Sequence, residues 1–370
     1  MEASFEYVFP AISGVQAQRE YYVSMCPLRL IPKIFLFDEE ELVPELRAQR
    51  TLNKARLPAL CRYILDNTKN YTFSSITASI DGEIRFESLG KSGESRQIGL
   101  LRVPMKSRFV INDGQHRRAA IEMAIRENPN LGDESISVVF YLDVGLERCQ
   151  QIFADLNRNA IRPSKSLGVL YDHREDLAKM VKSVVLESDL FKNLVEMERS
   201  TLSLKSRRLF TLSALYIATR SLLAGIESSS LEERASLVKT YWHEVAKHFP
   251  EWEMVHAGKM TAFEVRQDFL HSHGIALHAL GRVGNALLQS TGPWKRKLPG
   301  LRKLDWSRAN GKLWEGRAMI AGRVSKSDNN VTLTTNTIKR SLGLELSPEE
   351  AQIEQAFQRG KHASNSRQAT

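Results

Sequence analysis

The sequence is poor in the residues on which several large protein classes depend. Three cysteines occur in 370 residues. Cys26, Cys61 and Cys149 stand far apart and form no Cys-x-x-Cys pair. That spacing argues against a zinc ribbon or a disulfide framework, and predicts neither a shared metal nor a disulfide. A reducing cytoplasm is the expected location. No apolar run approaches the roughly 20 residues of a membrane-spanning helix, so no membrane association is expected. Met1-Glu2-Ala3-Ser4 leads to aromatics and Pro10 without a basic stretch or an apolar core, which does not read as a secretory leader. Walker A, Gly-x-Ser-x-Gly and His-Glu-x-x-His patterns are absent, and no residue is assigned a catalytic role.

What is present is ordinary globular composition, 42% hydrophobic and 26% charged. That composition argues against a disordered or fibrous chain. The formal net charge is +9. From Lys295 to Thr370, 15 Lys and Arg stand against 7 Asp and Glu, so a net +8 sits in the last fifth of the chain. Clustered positive charge suits double-stranded DNA, and it equally suits a solvated tail. Lys295, Arg296, Lys297, Arg302 and Lys303, close to Trp306, are the residues of that region suited to phosphate contact.

Along the chain the pattern changes class once. Leu30–Phe37, Ser75–Ile80 and Arg108–Ile111 read as strands. Asp81-Gly82 between apolar runs signals a hairpin. Residues 39–67 carry a helical pattern, and Ser137–Leu142 reads as a buried strand. After residue 145 the periodicity is helical, over Leu146–Leu156, Leu167–Leu186, Ser206–Ala224, Leu231–Phe249 and Phe263–Leu288. The expected fold is α+β. It comprises a mixed α/β domain over 1–160, a mainly helical domain over 161–292, and a basic C-terminal segment over 293–370. Short helices are expected in that segment at Thr337–Leu342 and Pro348–Arg359, before a disordered end.

The most informative stretch runs from Arg108 to Ala124. A short apolar strand enters Asn112-Asp113-Gly114, and a helix follows with Gln115, His116, Arg117 and Arg118 in its first turn. Asp113 is placed to cap the helix, and Gly114 permits a sharp turn. Free N–H groups and basic side chains at a helix start make a phosphate cradle. A plain capped strand–turn–helix accounts for the same residues. Three further groups are candidates for DNA or nucleotide contact. Arg47, Gln49, Arg50 and Asn53 share one predicted helical stretch. Asn157, Arg158 and Arg162 are expected beside His116 and Arg117, in a polar cleft. Lys205, Arg207 and Arg208 precede an apolar helix start. His271, His273 and His278 do not share a helical face and read as structural rather than metal-binding.

Asp113-Gly114-Gln115-His116-Arg117 resembles the signature of the DGQHR-domain family. Within that family the chain is similar to the regulators of DNA phosphorothioation. The likeness rests on Phe9-Pro10-Ala11-Ile12-Ser13-Gly14, Tyr21-Tyr22, Arg47-Ala48-Gln49-Arg50 with Asn53, and Phe153-Ala154-Asp155-Leu156-Asn157. Pro163-Ser164-Lys165-Ser166-Leu167 and Tyr171-Asp172 extend it to about residue 215. More distantly the turn resembles the ParB/sulfiredoxin superfold, whose Gly-x-His-Arg turns act on nucleotide phosphates. Arg158–Pro163 matches the second ParB nucleotide motif only in part. Gln115 stands where sulfiredoxins carry their cysteine, so sulfinic-acid chemistry is not implied.

The resemblance implies a DNA-binding repressor of a phosphorothioate-modification operon. Its partners would be promoter DNA, other sulfur-modification proteins and further copies of itself. The alternative it implies is a switch that binds or hydrolyses a nucleoside triphosphate, with a nucleotide as the one candidate cofactor.

Overall fold

A computed structural model describes residues 5–35, 52–142, 145–158, 163–226 and 230–368, the side chains of Leu146 and of residues 361–368 excepted. The chain divides into two units, Met1–Ile161 and Arg162–Thr370. The first is built on a sheet and the second is mainly helical, which bears out the expected fold class.

The strands of the first unit are β1 (Glu6–Gln16), β2 (Arg19–Pro27), β3 (Ile76–Asp81), β4 (Arg85–Ser88), β5 (Ile98–Pro104), β6 (Arg108–Asp113) and β7 (Ser135–Leu142). They pair in the order β4-β5-β1-β2-β7-β3-β6, and only β3 and β7 run parallel. The connection from β3 to β4 shows that this sheet is not flat. Four Cα steps reach at most about 14 Å. Five strand spacings in a flat sheet would need about 24 Å. The sheet therefore curls until its ends approach. Tyr7 of β1 meets Phe109 of β6 at 5.8 Å between ring centroids, and Tyr22 of β2 meets Phe86 of β4 at 5.2 Å. Inside the curl lie Phe9, Leu101, Val103, Ile111, Val138 and Phe140, all buried.

Two local expectations are corrected. Asp81-Gly82 does not make a hairpin, because β3 pairs with β6 and β7 while β4 pairs with β5. The apolar runs on either side serve opposite ends of a curled sheet, and turn chemistry cannot encode that pairing. The described part of the strand expected over Leu30–Phe37, residues 30–35, is not a strand. Leu28–Leu30 forms a 3₁₀ turn and Ile31–Ile34 the one-turn helix α1, with Pro32 in its first turn. Proline brings no N–H to a ladder but suits a helix start. The unit's other helices are α2 (Leu57–Asp66), α3 (Gln115–Glu127) and α4 (Leu146–Arg158).

The second unit holds α5 (Lys165–Tyr171), α6 (Asp176–Glu187), α7 (Leu212–Leu222), α8 (Leu231–Ala246), α9 (Pro250–His256), α10 (Ala262–Asp268), α11 (Gly274–Gln289), α12 (Gly311–Trp314), α13 (Asp328–Ser341) and α14 (Pro348–Gln368). The single helix expected over Phe263–Leu288 is two. Phe269 leaves the helix to bridge to Ser307, and His271 is buried against the rings of Phe249 and Phe269. The helix expected to begin at Thr337 starts at Asp328. Its threonines hid it, being poor helix formers in sequence. In the fold the hydroxyls of Thr332, Thr334, Thr335 and Thr337 each donate to the carbonyl four residues back, so their burial leaves no unmet polar group.

The basic segment from 293 onward does not form a body of its own. Leu298, Leu301, Trp306, Trp314, Val331 and Ile338 join the same core as α7 and α11. Its charge is in part spent internally. Arg317 and Arg340 pair with Glu354, and Lys339 pairs with Glu350.

Candidate functional site

The strand–turn–helix at residues 108–127 forms as the sequence predicts, but with a different cap. β6 ends at Asp113, and Gly114, at φ 113°, ψ 10°, is the N-cap of α3. Being glycine, the N-cap residue brings no side-chain capping bond. A Cβ on Gly114 would stand 3.1 Å from both Ile76 Cγ1 and Arg117 Nη2. Glycine is required here both by the backbone angle and by the close approach. Asp113 turns away from the cap and pairs with Arg117, one helical turn on, at 2.6 Å.

Each polar residue of the motif holds a different piece of the first unit. Gln115 is buried, and its Oε1 accepts from the Gly114 N–H at 3.1 Å. His116 Nε2 accepts from the Asn53 N–H at 3.0 Å, while Asn53 Oδ1 accepts from Ala55 N–H. Arg117 donates to Ser74 Oγ at 2.6 Å and to the Ser75 carbonyl at 3.1 Å, besides its bond to Asp113. Arg118 donates to the carbonyls of Phe35 and Pro32 and pairs with Glu122. The first turn of α3 therefore joins the end of β6 to α1, to the entry of β3 and to the start of the 3₁₀ turn before α2. Asn112, fully buried, accepts from Ser79 Oγ at 3.0 Å and donates to the Cys149 carbonyl, tying β6 to β3 and α4.

This geometry alters what the motif's cations can do. Arg118 spends Nε, Nη1 and Nη2 on two carbonyls and a carboxylate. Arg117 spends Nη1 and Nη2 on a hydroxyl, a carbonyl and a carboxylate, while its buried Nε has no partner among the described residues. The polar cleft expected around them is not formed by the described partners. Asn157 donates to the Phe153 carbonyl within its own helix, and Arg158 is exposed at the end of α4. Among the described residues neither bonds to the turn. Arg47, Gln49, Arg50 and Arg162 lie outside the described residues. Replacing Arg117 by alanine should thus lower stability by about 1–2 kcal/mol, as the Ser75 carbonyl loses its charged donor. The pair with half-exposed Asp113 contributes little to that loss. A urea midpoint checks it, and an unchanged midpoint would leave Arg117 without a structural role.

The remaining candidates fall in the second unit. Lys205 and Arg207 are exposed on the loop ahead of α7, and the Arg208 guanidinium sits on the Asn193 carbonyl. Arg266 organises this loop, since it donates to the carbonyls of Arg208, Ser203 and Ser206. Trp294–Lys303 forms a 3₁₀ stretch that buries Leu298 and Leu301 and turns its cations outward. Arg296, Lys297 and Lys303 are exposed on it, Lys295 stands 3.6 Å from Glu244, and Arg302 donates to the Lys247 carbonyl.

The histidines are built into packing. Trp252 donates to His271 Nδ1 at 2.9 Å, and His273 Nε2 lies 2.8 Å from the Arg266 carbonyl. Burial pulls His273 and His278 down to about 4, so both are neutral near pH 7. Cys26, Cys61 and Cys149 are buried thiols, and burial pushes Cys26 up to about 11. No described group of three or more His, Cys, Asp or Glu is arranged to hold a metal.

The Pro163–Leu167 run is likewise explained by its bonds. Ser164 caps α5 through the Leu167 N–H, and buried Ser166 bonds the Arg199 carbonyl and Ser213. A family model described as DNA-sulfur modification-associated matches residues 9–345. No curated protein and no solved structure matches the chain.

Proposed function

From the premise that the chain belongs to the DndB family, and so is associated with DNA sulfur modification, we propose that it binds duplex DNA and represses the operon of that modification system. The observation that carries this reading is the basic 3₁₀ stretch. Its apolar residues are fixed in the core while Arg296, Lys297 and Lys303 stay exposed. A backbone anchored by Leu298 and Leu301 presents these cations to phosphates without a backbone-ordering cost on binding. Lys205 and Arg207, on a loop fixed by Arg266, are a second set of backbone contacts. Phosphate contacts set affinity and register, and base contacts choose the site. Copies of the chain and other proteins of the modification system are the further partners of this reading.

A nucleotide switch centred on the DGQHR turn is the weaker reading, because the turn's guanidinium groups are already engaged within the protein.

The expected result is a steep salt dependence of binding to the operon's upstream duplex. Five neutralised phosphates correspond to a slope of about −4.5 in log K against log[salt]. A gel-shift titration at several salt concentrations measures it. Replacing Arg296, Lys297 and Lys303 by glutamine should make the slope shallower by about 2.7. Affinity independent of salt would sink the reading.

A further inference from the structure

The second unit carries a cleft of about 370 Å³ beside the start of α11, lined by several loop segments and by residues of α7 and α10. Three of its lining residues, Arg266, Arg308 and Lys326, are cations, and no carboxylate among the described residues lines it. Arg266 and Arg308 are spent on backbone carbonyls, but carbonyls do not cancel their charge. Lys326 is exposed, and its Nζ is 3.8 Å from the point where a Cβ on Gly274 would stand.

Two further observations point to an anion. α11 is 16 residues long and its N-cap, His273, makes no side-chain capping bond. The first-turn N–H groups therefore add positive potential without a side-chain acceptor. Ser272, next to that end, is 3% exposed, lines the cleft, and its buried Oγ has no hydrogen-bond partner. A buried hydroxyl without a partner is costly, and a ligand oxygen would meet it. Hydroxyls of Ser200, Thr201 and Ser203 also line it, and the remainder is largely apolar. Leu204 and Phe263 are exposed at the cleft, and Phe210 is buried behind it.

We propose that this cleft binds a small phosphomonoester with a flat apolar body, of the size of a nucleoside monophosphate. The phosphate would sit among Ser272, the α11 N-terminus and Lys326, and the body would lie against Leu204 and Phe263. His273 keeps its ring bonded to the Arg266 carbonyl, which leaves the phosphate to Ser272, the helix end and Lys326. Ser272 is recessed, which suits a terminal phosphate better than a phosphate within a duplex backbone. The proposal does not rest on DNA binding, and its test is separate.

The test titrates AMP, inorganic phosphate and adenosine into the full chain by calorimetry. AMP should bind with a Kd below about 1 mM, and adenosine at least about tenfold more weakly. Lys326→Gln should weaken AMP about tenfold with an unchanged thermal midpoint, since Lys326 is exposed. Ser272→Ala should weaken AMP several-fold while leaving the midpoint equal or higher, because it removes an unsatisfied hydroxyl. A Ser272→Ala protein that melts lower and binds AMP as tightly would overturn the proposal. So would AMP binding that is absent, or unaffected by Lys326→Gln. Competition by a short duplex with the same loss in Lys326→Gln would reassign the cleft to DNA phosphate and overturn the small-ligand reading.

Discussion

Glu354→Ala should destabilise the second unit by about 3–5 kcal/mol, because it leaves a buried guanidinium without its counter-charge. Arg317 and Glu354 form a two-pronged pair at 2.8 and 2.6 Å, with side chains 8% and 3% exposed. Asn336, Arg340 and Gln358 also donate to the same carboxylate, and Arg317 lies over the Phe357 ring. Burial alone would raise the Glu354 carboxyl, but the bonds from Arg317 and its neighbours bring it from 4.5 down to about 2. A folded value below the unfolded one means that the contribution is present above pH 4.5 and lost as pH falls toward 2. Denaturant unfolding from pH 7 to pH 3 should show a decline in the native protein that is smaller in Glu354→Gln, where other lowered carboxyls such as Glu244 and Glu251 remain. The double change Arg317→Met with Glu354→Leu should recover most of the loss, since the pair's desolvation cost disappears with it. A single-site loss below about 1 kcal/mol would show that water reaches the pair.

Gly281→Ala should cost about 2–3 kcal/mol even though alanine is the better helix former. Propensity alone would favour the alanine by about 1 kcal/mol. Against it, a Cβ at Gly281 would stand 2.2 Å from the Ala218 carbonyl oxygen of α7. Backbone cannot rotate out of the way, so α7 and α11 would have to part. Leu215, Leu222, Leu277 and Leu280 are all buried where these helices meet, and separating them opens space around each. A thermal melt decides the sign. A stabilised Gly281→Ala protein would mean that the helices slide apart at little cost.

Much of the chain's organisation was legible in the sequence. The change from strands to helices after residue 145 follows from periodicity, which is a local property. The β6–Gly114–α3 turn was legible for the same reason, since strand, glycine and helix are contiguous. The candidate site was legible as a set of residue types and illegible as a set of bonds. Arg118 and His116 bond to backbone groups of Pro32, Phe35 and Asn53, between 63 and 86 residues away. Any residue presents a carbonyl or an N–H, so such partners leave no trace in composition. The cleft beside α11 was missed because Ser272, Arg308 and Lys326 are scattered polar residues that carry no motif. The hydroxyl-rich run Ser200–Ser203 was the one available signal, and it is a weak one.

By itself the sequence determined that a sheet-bearing half precedes a helical one, where the glycine turn lies, and that excess positive charge gathers at the end. It determined these because alternation, helical spacing and charge sum along neighbouring residues. Tertiary structure alone decided that the sheet curls, so that Asp81-Gly82 links opposite ends of it. It also decided that the threonines of α13 are helical and that the basic segment completes a core. Above all it decided which cations remain available. Arg117, Arg118 and Arg317 are consumed by partners inside the fold, while Arg296, Lys297 and Lys303 remain exposed. An arginine's free energy depends on what surrounds it, and those surroundings exist only once distant segments have packed.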